Sequence, residues 1–179
     1  MRVALAFLLM AAACKKELPR AAVGPVSIGV PEGFVDDSER MAKFARGPNG
    51  AEQRMWVNKA AKLQLGLSLA RLGHQPEWEQ YSKHDLLSEM VNQEMTAGEK
   101  AGLKTVRSDR RFEGDTLRYS VDGDMGGLLA TSNETALWLD AAGDCWHASA
   151  VCSARPDDRP KCTALLGTVK FAIDAGTPR

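Results

Sequence analysis

Leu63, Leu65, Leu67 and Leu69 alternate with Lys62, Gln64, Gly66, Ser68 and Ala70. A helix would not space leucines by two; this period is that of a strand with one buried and one wet face. Shorter alternations flank it. Val26, Ile28 and Val30 form a first strand, stopped by Pro31-Glu32-Gly33-Phe34. Met41, Lys43 and Phe44 begin a second, and Gly47 to Gly50 is a turn. Gln53 to Lys59 reads as a strand anchored by Trp56. The period then changes. From Pro76, the residues Trp78, Tyr81, Leu86, Leu87, Met90, Val91 and Met95 recur every three or four positions. Glu77, Glu79, Lys83, Asp85, Glu89, Gln93 and Glu94 fill the other side, and Gly98 and Gly102 end the pattern. That is an amphipathic helix fit to cover one face of a sheet.

Beyond the helix the pattern returns to strands. Leu103 to Arg110 and Thr116 to Val121 flank the hairpin turn Glu113-Gly114-Asp115. Asp122 to Gly127 reads as another turn, and Leu128 to Leu139 as a strand with a bulge near Ser132-Asn133. Ala142-Gly143-Asp144 leads into the strand Cys145 to Cys152. Arg155 to Pro160 is a charged loop, Lys161 to Gly167 a short helix, and Val169, Phe171 and Ile173 a closing strand. Together these predict an α+β fold: a mainly antiparallel sheet flanked by one long and one short helix. The globular domain is expected over residues 25–174, with a tail at 175–179.

The first fourteen residues, MRVALAFLLMAAAC, differ from the rest. Arg2 is followed by an apolar run too short to span a bilayer, then by Ala11-Ala12-Ala13 and Cys14. This resembles the signal peptide of a bacterial lipoprotein, whose box places small residues before an invariant Cys. Ala11 stands where that box most often carries Leu. The resemblance implies a leader at 1–13, a diacylglyceryl group on the Cys14 thiol, and acylation of the new amine. Ala11-x-Ala13 also satisfies the cleavage rule of an ordinary secretory leader. Residues 14–24 then serve as a short tether; Lys15 to Ala22 extend at most ~30 Å. Lys15 stands where an Asp marks inner-membrane retention, which by resemblance places the anchor in the outer membrane, facing the periplasm.

Nearly all of residues 25–174 resembles the PsbP-like family, in Pro31-Glu32-Gly33-Phe34 after the first strand and in the helix after the leucine strand. The Phe112-Glu113-Gly114 hairpin and Leu165-Leu166 with Val169-Lys170-Phe171 continue the likeness. That family includes an extrinsic photosystem II subunit, a small eukaryotic Ran-binding protein and many bacterial lipoproteins. The resemblance implies a sheet flanked by helices and a non-enzymatic accessory or binding role, with an unidentified envelope protein as partner.

Charge narrows the partner class. Without Arg2 the chain carries 22 basic and 23 acidic residues, so its net balance gives no electrostatic footprint for nucleic acid or for anionic lipid. Cys145, Cys152 and Cys162 remain, an odd number in a chain expected to leave the cytoplasm. Cys145 and Cys152 differ in parity and face opposite sides of one strand. A Cys152–Cys162 disulfide with Cys145 buried and free is therefore expected. The sharper alternatives are a metal site from Cys145, His147, Cys152 and Cys162, or an apolar-ligand pocket among Trp56, Trp78, Trp138 and Trp146. The metal set lacks zinc-knuckle spacing, and each Trp falls where a core residue of its own element would fall. A hydrolase would need a nucleophile elbow. Gly66-Leu67-Ser68-Leu69-Ala70 imitates one only faintly and lies in a regular strand. Of the three histidines, His74, His84 and His147, His84 adjoins Asp85 on a helix and points elsewhere. No catalytic residue and no cofactor is assigned.

Intact mass of the protein from its native envelope tests the leader. A mass that starts at Cys14 with acyl chains added is expected; an unmodified mass would refute the anchor.

Overall fold

The structure, a computed structural model, describes residues 18–39 and 51–173. The leader, Cys14, the strand and turn expected between residues 41 and 50, and the tail at 175–179 lie outside the described residues.

Strands β1 (Arg20–Val23) and β2 (Val26–Gly29) form a hairpin, joined on the far side of β2 by β10 (Lys170–Phe171). The larger sheet has seven antiparallel strands: β3 (Val35–Asp36), β4 (Glu52–Asn58), β5 (Leu63–Gly73), β6 (Leu103–Glu113), β7 (Thr116–Met125), β8 (Leu129–Leu139) and β9 (Cys145–Ala154). Their spatial order is β3-β4-β5-β9-β8-β7-β6. Helix α1 (Lys83–Lys100) covers one face and helix α2 (Arg159–Leu166), with the small sheet, covers the other. This is the expected α+β layout. Among the described residues no helix is long and apolar enough to cross a membrane.

The leucine alternation does what its period predicts. Leu63, Leu65 and Leu67 are buried, while Gln64 between them is exposed. They meet Val26, Ile28, Trp56, Ala148, Ala150, Cys152, Leu165 and Leu166 in the larger core. A second core lies under α1, where Leu87 and Val91 pack on Leu117, Tyr119, Leu137 and Cys145.

Local signals misplace several boundaries. Arg20–Val23, within the stretch read as tether, is strand β1. The helix does not start at Pro76: Pro76–Gln80 is a 3-10 turn, and the chain is extended at Tyr81 and Ser82 before α1. The Ser82 hydroxyl accepts from the Asp85 N–H and donates to its carboxylate, a cap that fixes the true start. Gly98 lies inside α1, and the helix stops at Ala101-Gly102. Asp122-Gly123-Asp124 is not a turn but the end of β7, paired on both sides. Gly123 is required there by a close approach: a Cβ would come within 2.5 Å of Leu103 Cδ1. The bulge expected at Ser132-Asn133 is absent, since β8 holds its register with both neighbours. Register shifts instead fall between Thr105 and Arg107 and between Arg71 and Gly73.

Cys152 on β9 is bonded to Cys162 on α2, ten residues on, with Cα atoms 5.3 Å apart. Both are buried in the larger core, so the bond ties α2 to the central strand. The double variant Cys152→Ala, Cys162→Ala is expected to lose about 2–3 kcal/mol in denaturant unfolding, the chain-entropy value for so short a loop. No loss would show that core packing alone holds α2.

Candidate functional site

Alternation on β9 divides its side chains between the two cores. Ala148, Ala150, Cys152 and Ala154 face the small sheet and α2. Cys145, His147 and Ser149 face the α1 side, where register aligns them with Leu139, Leu137 and Thr135 of β8 and, through β8, with Leu117 and Tyr119 of β7. The structure thus brings Cys145 and His147 to one face, as their parity requires.

A polar cluster forms where α1 crosses this face. The Tyr119 hydroxyl donates to the Glu94 carboxylate. His147 Nε2 stands 3.5 Å from Glu94 Oε2, within ion-pair reach but outside hydrogen-bond geometry. Burial pushes the Glu94 carboxyl up; the approach of His147 and the Tyr119 hydrogen bond outweigh it and hold the group below its ordinary value. Burial, and then the Glu94 charge, push the Tyr119 phenol up, so it remains a donor. Beside the cluster a cleft of ≈ 240 Å³ lies between α1 and β6–β7, lined by Val91, Met95, Ser108, Arg110, Tyr119 and Val121. Arg110 bridges to Asn92 of α1 at 3.1 Å. The cleft is smaller than the roughly 300–1,000 Å³ of small-molecule sites.

Glu94 escapes a sequence reading that assigns it to the polar side of the helix. Yet it follows Val91 by three and Leu87 by seven, on the stripe that α1 buries. A carboxylate at a stripe position was the available signal. Tyr119 gave none, because a Tyr on an alternating strand reads as core.

The other expected candidates do not converge. Ser68 Oγ lies 2.7 Å from Ser149 Oγ, on the face that carries His147, but within an unbroken ladder from Gln64 to Arg71 and with no elbow. His84 packs on the Phe112 ring with centroids 4.0 Å apart, and His74 lies 3.7 Å from Glu79. Cys145 is a free buried thiol, 3.5 Å from Met90 Sδ; burial alone pushes its pKa up to about 12. It is therefore neither nucleophile nor ready metal ligand at neutral pH. Cys152 and Cys162 are bonded to each other on the opposite face, and no group of three or more His, Cys, Asp or Glu among the described residues could hold a metal ion. The tryptophans also separate. Trp56 is in the larger core, Trp78 packs against the α1 core, and Trp146 turns away from Cys145 to stack on Trp138. Asp140 fixes that stack by accepting from Trp146 Nε1 at 2.9 Å.

Among the described residues, β6 and β7 also present a charged face on the side away from α1. There the outer strands pair Arg111 with Arg118, Asp109 with Ser120, and Arg107 with Asp122. All of β6 from Val106 to Glu113 is exposed. Arg118 lies over the Phe171 ring, 4.3 Å from its centroid, and donates to Glu113 at 3.0 Å, while its Nε has no hydrogen-bond partner. Burial pushes the neighbouring Glu134 carboxyl up; Arg118 and Arg111 pull it down, and Asp122 and Asp109 add to the rise. The result is a mosaic of both signs of charge on an edge-exposed sheet.

No family model and no curated protein matches the chain. Solved structures do. PsbP (CyanoP) of the cyanobacterium Synechocystis sp. PCC 6803 superposes with a TM-score of 0.51 at 9% identity, covering 87% of this chain and 92% of that one. The Saccharomyces cerevisiae Ran-binding protein Mog1p gives a TM-score of 0.45 at 13% identity, covering 87% and 96%. The first likeness, with the sheet and two helices described above, establishes a PsbP-like α+β fold.

The Glu94 cluster predicts a pH dependence. A carboxylate lowered by folding stabilises above its ordinary value of 4.5, and that contribution is lost as pH falls through the lower folded value. Glu94→Gln is therefore expected to flatten the acid limb of stability against pH, read by denaturant midpoints. An unchanged slope would show that Glu94 is not held ionised by its neighbours.

Proposed function

We propose that this chain is a non-enzymatic, lipid-anchored lipoprotein of the bacterial envelope. Its single domain binds a protein partner and assists an assembly at the outer membrane, facing the periplasm. The leader and Cys14 support the address, and the Cys152–Cys162 disulfide suits an oxidising compartment.

The observation that supports the binding reading is the charged face that β6 and β7 present on the side away from α1 among the described residues. Its arginines are held in place: Arg118 is braced on Phe171 and Glu113, and Arg111 donates to the same Glu113. Arginine fixed in a partly desolvated, mixed-charge setting is suited to protein recognition, where complementary charge sets register and excludes wrong partners. The fully exposed edge of β6 adds backbone donors and acceptors. Its charged side chains guard it against unspecific pairing.

A photo-crosslinking residue at position 111 of the full chain, expressed in the native envelope, tests this. One discrete adduct is expected, reduced several-fold by Arg107→Glu and absent when the crosslinker stands at position 64 on the other face. Absence of an adduct from position 111, or identical adducts from both, would overturn the reading.

A further inference from the structure

Among the described residues eight large apolar side chains are exposed, and six of them lie toward one end of the domain: Leu18, Val35, Val106, Met125, Leu128 and Leu129. The register places most of them there. Met125 pairs with Leu129 across the β7–β8 turn, and the adjacent row runs from Asp124 through Ala130 and Ala154 toward the Leu63 end of β5. Val106 bulges out beside Gly123, close to that turn, and Val35 pairs with Val57, which pairs with Gln64. The remaining two, Tyr81 and Phe112, lie at the opposite end, around the start of α1. Leu128 is the extreme case at 84% exposure, carried on a turn that Gly126 and Gly127 shape with φ of 58° and 70°.

The chain enters the domain at this same end. The turn between β1 and β2 rests on Leu69, where a Cβ on Gly24 would meet Leu69 Cδ2, while Arg20 at the other end of β1 pairs with Gly29. Val26 and Ile28 pack along Leu63, Leu65 and Leu67, so β1 begins toward Leu63, and Leu18 lies there against Gly29. Lys59 and Lys62 flank the β4–β5 turn, and Lys104 stands beside the Met125 turn. Asp124 and Asp158 nearby pair with Arg159 and Lys161, and the exposed Glu32, Glu99 and Asp157 lie at the same end.

We propose that this end docks on an anionic lipid bilayer, with Leu128 and Leu129 at the boundary of headgroups and acyl chains and the lysines over lipid phosphates. Among the described residues, the cleft beside Val91 and a second one beside Trp78 include none of the six; Leu128 and Leu129 project from the β7–β8 turn. Apolar side chains with lysines among them bind such a surface through buried area and local charge, although the net charge of the chain adds nothing. The geometry of approach rests on the lipid-anchored reading: Cys14 precedes Leu18 by four residues, a reach of about 14 Å at full extension. Acyl chains on Cys14 would hold this end, and not the α1 start, against the membrane.

The test uses the full chain, purified from the envelope, on vesicles of phosphatidylethanolamine and phosphatidylglycerol with brominated acyl chains. Tryptophan is placed at one end by Leu128→Trp or at the other by Tyr81→Trp, and the parent emission is subtracted. The emission added by Leu128→Trp is expected to shift to the blue and lose about half its intensity, with that of Tyr81→Trp unchanged. Equal, negligible quenching of both would overturn the proposal. So would a blue shift of Leu128→Trp that appears with envelope proteins but never with vesicles. Intact mass separates the two readings. An acylated chain with unquenched Leu128→Trp removes the docking and leaves the anchor. An unacylated chain with quenched Leu128→Trp removes the anchor and leaves the docking.

Discussion

The structure depends on the small side chains of one strand. Strand β9 is central in the seven-stranded sheet, and toward the small sheet it presents Ala148, Ala150, Cys152 and Ala154. This row leaves room for α2 and β2 to pack closely on the backbone, and the larger residues Leu65, Ile28, Leu165 and Leu166 fill the space around it. A bulky residue in the row would lift both covering elements together. The disulfide reinforces the same contact, because it joins that row to α2.

The opposite side of β9 obeys a different rule. It carries Cys145, His147 and Ser149, and α1 crosses it with Leu87, Val91 and Glu94. Here burial is incomplete and polar groups compensate one another. Tyr119 donates to Glu94, Ser68 and Ser149 share a hydrogen bond, and Cys145 stays protonated in an apolar niche. Polar residues under a helix invite a catalytic reading. His147 Nε2 stays without a hydrogen bond here, and the charged face of β6 and β7 lies on the other side of the sheet.

Much of the fold was legible because period-two patterns with a wet face are self-declaring. The leucines of β5 and the parity of Cys145 and Cys152 required no tertiary knowledge. What was not legible was decided by pairing. Arg20–Val23 is four residues long with no alternation to announce a strand, and becomes one because β2 lies beside it. Asp122-Gly123-Asp124 has turn chemistry, and partners on both sides override it. The candidate surface was hidden for a related reason. Arg107, Asp109, Arg111 and Arg118 look like any solvated charges until it is known that α1 covers only the other face of their strands. Glu94 could have been found on the helical stripe; the orientation of Trp146 followed from parity once Cys145 was placed.

The small sheet joins the two ends of the domain: Val26 on β2 pairs with Phe171 on β10. A chain made from its N-terminal side must therefore wait for Lys170 and Phe171 before β2 gains its second neighbour. Strand β5 waits likewise for β9, some eighty positions later. Such long-range closure is slow, because loop entropy is lost before the contacts that offset it form. Closure of this core waits on residues far along the chain, and until they arrive its leucine face is open to whatever surrounds it.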